Sequence, residues 1–93
     1  MIIQQTDNGK KGSFTAVSDG EKAGEMTYTW AGTDKFIIDH TEVEDGFAGQ
    51  GVGKELVMAA VGFARGNKVK IMPLCPFAKS VFDRDPSLED VLF

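Results

Sequence analysis

Two groups of residues in this 93-residue chain have types and spacings that suit chemistry. The first is Gly49-Gln50-Gly51-Val52-Gly53-Lys54, which stands directly ahead of a helical pattern. Glycines at such a junction let the backbone turn sharply and approach a ligand with no Cβ in the way. The N–H groups of the helix's first turn, together with its dipole, then attract negative charge, so the chemistry on offer is capture of a phosphate or pyrophosphate. Two common phosphate motifs do not fit. A P-loop needs glycine at position 48 and Ser or Thr at position 55, where the chain has Ala48 and Glu55. The dinucleotide pattern needs a further glycine three residues on, and neither Gly49-x-Gly51 nor Gly51-x-Gly53 is followed by one. The second group is His40, Glu42 and Cys75. A histidine, the side chain able to change protonation state near neutral pH, and a carboxylate two residues away are both candidate proton acceptors. Cys75 lies between Pro73 and Pro76, at the start of a second helical pattern, where unpaired N–H groups favour a partly exposed thiolate. Each also has a plainer reading: a strand histidine, a surface carboxylate, a small buried cysteine. Lys54 and Lys79 are either solvated helix charges or arms that reach a bound phosphate.

The elements that must position these residues follow from pattern. Asn8-Gly9 and Asp19-Gly20 are hairpin-turn dipeptides, and Gly32-Thr33-Asp34 is a third connector. Strands are predicted over Ser13 to Ser18, where Phe14 and Ala16 alternate with Ser13, Thr15 and Val17, and over Glu25 to Ala31, with Met26, Tyr28 and Trp30 on one face. Lys35 to Val43 is the longest strand-like run; strict alternation puts Ile37, Asp39, Thr41 and Val43 on one face and Phe36, Ile38, His40 and Glu42 on the other. From Val52 the period changes: Leu56, Ala59, Ala60, Phe63 and Ala64 recur at spacings of three and four, which predicts a helix ending near Gly66-Asn67. Val69 to Met72 reads as a short buried strand, and Pro76 opens a second helix to about Arg84. Trp30, Tyr28 and Phe36 are expected to pack in the core or on the sheet. The order predicts one α+β domain over residues 1–93, a mainly antiparallel sheet with two helices.

Composition narrows the function classes. The chain is 42% apolar and 26% charged, which is globular balance, and 10 Lys+Arg against 14 Asp+Glu leave a net charge of -4 that repels nucleic acid. A single Cys and a single His give no zinc cluster and no internal disulfide, so no metal is expected and a reducing, cytoplasmic setting is. No signal-like N-terminus and no apolar run near the ~20 residues of a membrane span are present, and no membrane association is expected.

The stretch from Val43 through Glu44, Ala48, Gly49, Gln50, Gly51, Val52, Gly53 and Lys54 resembles the acetyl-CoA signature of the GNAT superfamily of N-acetyltransferases, in which a glycine-x-glycine pair opens a helix. His40-Thr41-Glu42-Val43 and Pro73-Leu74-Cys75-Pro76-Phe77 are similar to a subfamily of very short GNAT-like proteins that lack the usual N-terminal helices. The resemblance implies a minimal acyl-CoA N-acyltransferase fold and acetyl-CoA as cosubstrate. It implies pyrophosphate on the turn from Ala48 to Lys54, with Lys79 able to reach a phosphate, and pantetheine paired with main-chain groups near Glu42 to Glu44, Val43 between them. The partner would be an amine acceptor, small molecule or protein, and the chain a monomer or homodimer. His40 or Glu42 would deprotonate the amine, and Cys75 would stand by the thioester as proton donor or, as the second choice, acyl carrier. Two departures accompany the match: Ala48 stands where the superfamily has Arg or Gln, and Cys75 and Phe82 stand where it has Asn and a proton-donating Tyr. They keep open a second reading, a non-catalytic acyl-CoA-binding or sensing module, and a third, a protein-interaction domain that merely retains the fold.

Overall fold

The structure, a computed structural model, describes residues 1–93. Four antiparallel strands come first: β1 (Ile2–Asp7), β2 (Lys11–Ser18), β3 (Glu21–Trp30) and β4 (Lys35–Val43). A short 3-10 turn, Asp45–Phe47, leads to α1 (Val52–Asn67); β5 (Lys70–Pro73) then pairs parallel to β4, and α2 (Pro76–Arg84) follows. The sheet order is β1-β2-β3-β4-β5, so the strand–helix–strand unit at its end is the crossover that a parallel pair requires. The glycine turn and the Pro73–Pro76 segment are both in this unit. The tail, for which the sequence pattern offers no element, forms a 3-10 turn over Pro86–Val91, after which Leu92 bridges Ile71 and the Phe93 N–H donates to the Ile71 carbonyl at 2.9 Å. Arg65 holds the tail, donating from Nε and Nη2 to the two Asp90 carboxylate oxygens at 2.9 Å each.

One apolar core lies on one side of the sheet. Phe14, Ala16, Met26, Tyr28, Phe36, Ile38 and Ile71 come from the strands; Leu56, Val57, Ala60 and Ala64 from α1; Ala78 and Phe82 from α2; Leu88 and Val91 from the tail. The strand positions are those that the period of two selects up to Ile38, whereas on α1 the buried side takes in Val57 and leaves Ala59 and Phe63 of the expected stripe half-buried, and the tail residues had no pattern to select them. The opposite face, with Thr15, Thr27 and Thr29, contributes no buried residue. Tyr28 is central: its ring packs against Phe14 and Phe36, and its hydroxyl crosses Gly12 of β2 to reach β1. A Cβ on Gly12 would lie 2.3 Å from the phenol, so only glycine lets this contact form. The phenol donates to Asp7 at 2.6 Å and accepts from Gln5 at 2.8 Å, while the Trp30 indole N–H also donates to Asp7 at 2.8 Å.

The strict alternation expected of β4 does not hold. Tyr28 pairs with Ile38 but Met26 pairs with Thr41, so β4 spends three residues where β3 spends two. The extra residue is Asp39, whose carboxylate accepts the Thr29 hydroxyl at 2.6 Å. This β-bulge reverses the faces downstream. Thr41 and Val43 therefore share the core-side face with Phe36 and Ile38, and His40 and Glu42 point to the bare face.

Candidate functional site

β4 and β5 pair only from Lys35↔Lys70 to Ile38↔Pro73, and a final backbone bond runs from the Cys75 N–H to the Ile38 carbonyl at 3.1 Å. Beyond it the chains part, β4 continuing to Val43 while the other turns into α2. The bulge at Asp39 sits at this fork, where added twist swings one strand from its neighbour. Between the arms is a cleft of about 630 Å³, bounded by Thr41 and Val43 of β4, the turn Phe47–Ala48–Gly49, the start of α1 and one side of α2.

The first turn of α1 opens into this cleft. Gly51 is its N-cap, with φ 77°, and no side chain caps the helix. The N–H groups of Val52, Gly53 and Lys54 have no hydrogen-bond partner within the chain; the first helical bond is donated by Glu55 to the Gly51 carbonyl at 3.0 Å. Three free donors at a helix N-terminus are chemically able to receive an anion such as a phosphate. α2 forms the other wall through Phe77, Ser80, Val81 and Arg84, a stripe at spacings of three and four. The Phe77 ring lies on the backbone of Gly53, where a Cβ would meet its Cζ at 2.6 Å. Gly53 thus serves the packing of α2 on α1, while the positive φ belongs to Gly51.

Of the residues expected to hold a cosubstrate, Val43, Ala48, Gly49, Gly51, Val52, Gly53 and Lys54 line the cleft; Glu44, Gln50 and Lys79 do not. Both main-chain groups of Glu44 are committed, its N–H to the Ala23 carbonyl and its carbonyl to the Phe47 N–H, at 2.9 Å each. The Lys79 ammonium pairs with Asp83 at 3.0 Å. His40 and Glu42 form an exposed pair, Nε2 to Oε2 3.6 Å, on the face of β4 opposite the cleft. Cys75 is the N-cap of α2, as its flanking prolines imply, but it is buried with 5% exposure, against the partly exposed sulfur expected. Its N–H bond to Ile38 draws the residue into the sheet margin, and α2 covers it. The thiol donates to Thr41 Oγ1 at 3.4 Å, and Thr41 lines the cleft. Burial pushes this thiol up, but the Thr41 hydroxyl and the N–H groups of Ala78 and Phe77 outweigh it and hold the group below the ordinary cysteine value. Phe82 is buried in the core, with no hydroxyl to offer.

Sequence reasoning overlooked Thr41, Phe47, Phe77, Ser80, Val81, Arg84 and Asp85 as cleft residues. Thr41 was hidden by the bulge. The α2 stripe was legible in principle, because Phe77, Val81 and Arg84 fall on one side of any helix that Pro76 begins.

Comparison with known proteins gives consistent results. A family model described as GCN5-related N-acetyl-transferase matches residues 13–91. A GCN5-like protein from Staphylococcus aureus is 34% identical, with a TM-score of 0.71 over 97% of this chain and 87% of that one. A ribosomal-protein-alanine N-acetyltransferase from Brucella melitensis biovar Abortus 2308 shares the fold at 17% identity, TM-score 0.71, covering 83% of this chain and 62% of that one. The aminoglycoside N-acetyltransferase AAC(6')-Iy, solved in complex with CoA, shares it at 15% identity, TM-score 0.65, over 89% and 88% of the two chains. No curated protein matches the sequence. No helix is long and apolar enough to cross a membrane.

Proposed function

This chain belongs to the GCN5-related N-acetyltransferase family, and from that premise we propose that it moves an acetyl group from acetyl-CoA to an amine acceptor across the fork between β4 and β5. The observation that carries the proposal is the trio of free N–H groups at Val52, Gly53 and Lys54 opening into the cleft where those strands part. Residues on hand suit the cosubstrate: the donors face a diphosphate, and beyond Ile38 the outer edge of β4 has no strand partner, leaving main-chain groups near Val43 for an amide-bearing chain. A thioester placed at the fork lies between the two faces of β4. From the bare face, His40 or Glu42 takes a proton from the incoming amine, whose lone pair then forms the C–N bond at the thioester carbonyl. The C–S bond breaks, and the departing thiolate takes a proton from the cleft side, where Cys75 and Thr41 stand. With no helix over the bare face, the acceptor meets an open surface.

Calorimetric titration with acetyl-CoA and CoA, followed by an acetylation assay over a panel of amines that reads released thiol, tests this. Both nucleotides should bind, and His40→Ala should lower transfer while leaving CoA affinity unchanged. No heat of binding, in a protein whose far-ultraviolet circular dichroism shows it folded, sinks the reading. The apolar environment of Phe82 favours a second reading, a CoA-binding or sensing module without efficient transfer, since the helix that would carry a proton donor presents a phenyl ring to the core instead. Tight binding with no acetylated product from any amine would select it.

A further inference from the structure

We infer that Arg84, on the last turn of α2, is the cation that closes on the diphosphate from the wall opposite the helix N-terminus. The inference rests on the CoA reading of the cleft and adds to it a residue that the glycine turn does not contain. A diphosphate brings two negative charges to a chain whose own net charge is -4, and the turn that receives it, Ala48 to Gly51, offers no side-chain cation. Three amide donors supply partial charge only, so a side-chain cation facing them adds the charge-assisted bonds they lack. The cleft is lined by two basic side chains, Lys54 and Arg84, and one acidic one, Asp85. The Lys54 side chain forms no salt bridge or hydrogen bond, but it stands on α1 beside the amide donors, so the opposite wall has only Arg84 to offer; its pull on the Asp85 carboxyl is minor after the two Ser87 bonds. The Asp85 carboxylate itself is turned to Ser87, accepting from its N–H at 3.0 Å and its hydroxyl at 2.6 Å. Arg84 forms no salt bridge and no side-chain hydrogen bond with any residue, in contrast to Lys79 earlier on the same helix and off the cleft, which is tied to Asp83. Its place is set by packing: Phe77 rests on Gly53, so the stripe Phe77, Val81, Arg84 runs beside the first turn of α1 and ends on the guanidinium. A planar guanidinium with paired donors matches phosphate oxygens two at a time, which a lysine ammonium does not.

The test is titration of the full chain and of Arg84→Ala, Arg84→Lys and Lys79→Ala with CoA and with dephospho-CoA, which keeps the diphosphate and lacks the 3'-phosphate. Arg84→Ala should weaken both ligands alike, by roughly tenfold to a hundredfold, with an unchanged melting temperature because the side chain makes no bond within the protein. Arg84→Lys should recover only part of the loss, and Lys79→Ala, an equal change in net charge, should shift affinity less than twofold. Equal CoA affinity in the native and Arg84→Ala chains overturns the assignment while leaving the CoA cleft intact. A loss confined to CoA and absent with dephospho-CoA also overturns it, moving Arg84 to the 3'-phosphate. Failure of the native chain itself to bind CoA overturns the reading of the cleft on which the inference stands.

Discussion

A Cβ on Gly53 would lie 2.6 Å from the Phe77 ring, whereas one on Gly51 would meet nothing within 4 Å. The two glycines, equivalent in the sequence motif, therefore fail differently when replaced. Gly51→Ala forces an L side chain to hold φ 77° and should cost about 1–2 kcal/mol through the backbone alone. Gly53→Ala should cost about 1–3 kcal/mol by displacing an aromatic ring, and Phe77→Ala in the same chain should remove most of that penalty. Denaturant unfolding of the two single variants and the double variant measures the coupling; additive losses would show that the ring contact is not the cause. Cys75 gives a second prediction at this scale. Its thiol lies below the ordinary value because the Thr41 hydroxyl and helix N–H groups oppose the effect of burial. Thr41→Val deletes that hydroxyl, so the midpoint of thiol labelling against pH should move upward, and a midpoint that stays put would leave Thr41 without this role.

At the scale of elements the decisive feature is one extra residue in β4. With Asp39 as the unpaired extra residue, it is Thr41 and not His40 that continues the core-side row of Phe36 and Ile38, and β4 bends where β5 lets go of it. The bulge thus places the proposed proton acceptors on one side of the fork and the cleft on the other. Deleting Asp39 keeps Thr41 on the core side, because it removes both the residue and its extra step, but it straightens the strand. The shortened protein is expected to fold, by circular dichroism, yet to bind CoA more weakly, as β4 and β5 close over the fork; native affinity in that variant would mean the bulge does not shape the cleft. The hairpins at the other end of the sheet illustrate a second device, a tyrosine of β3 reaching over a glycine of β2 to a carboxylate of β1.

For the whole molecule, that contact makes stability depend on pH at both extremes. Asp7 is held below its ordinary value by the Tyr28 hydroxyl first, against a counteracting effect of burial, and further by the Gly9 N–H and the Trp30 indole. Its carboxylate therefore stabilises the fold above the unfolded value of 3.8 and loses that contribution as pH falls through its lower folded value. Asp90, lowered chiefly by Arg65, acts in the same direction on the tail. Tyr28 is the reverse case: burial, with Asp7 beside it, pushes the phenol up to about 12 from 10.0, so its contribution is full below 10.0 and drains away as pH rises towards 12. Melting temperature should fall below pH 3.8 and again above pH 10.0, and Tyr28→Phe should flatten the alkaline limb; an alkaline limb that survives intact in that variant would assign it elsewhere. The local order along the chain was already written in the sequence. Turn dipeptides, the switch from a period of two to one near three and a half, and Pro76 set both helices and strands β2 to β5 within a few residues, while no pattern bounds β1; the glycine turn marked where a helix opens without a side-chain cap. These are short-range effects of backbone sterics and of which side of an element is apolar. Tertiary structure alone decided which face His40 and Thr41 take, since a bulge depends on the register of two strands and on Thr29 across from Asp39. It also buried Cys75, folded the tail onto β5 and brought Arg84 to within one cleft of Gly51, because contacts between residues more than 20 positions apart arise only when the helices pack on a common sheet.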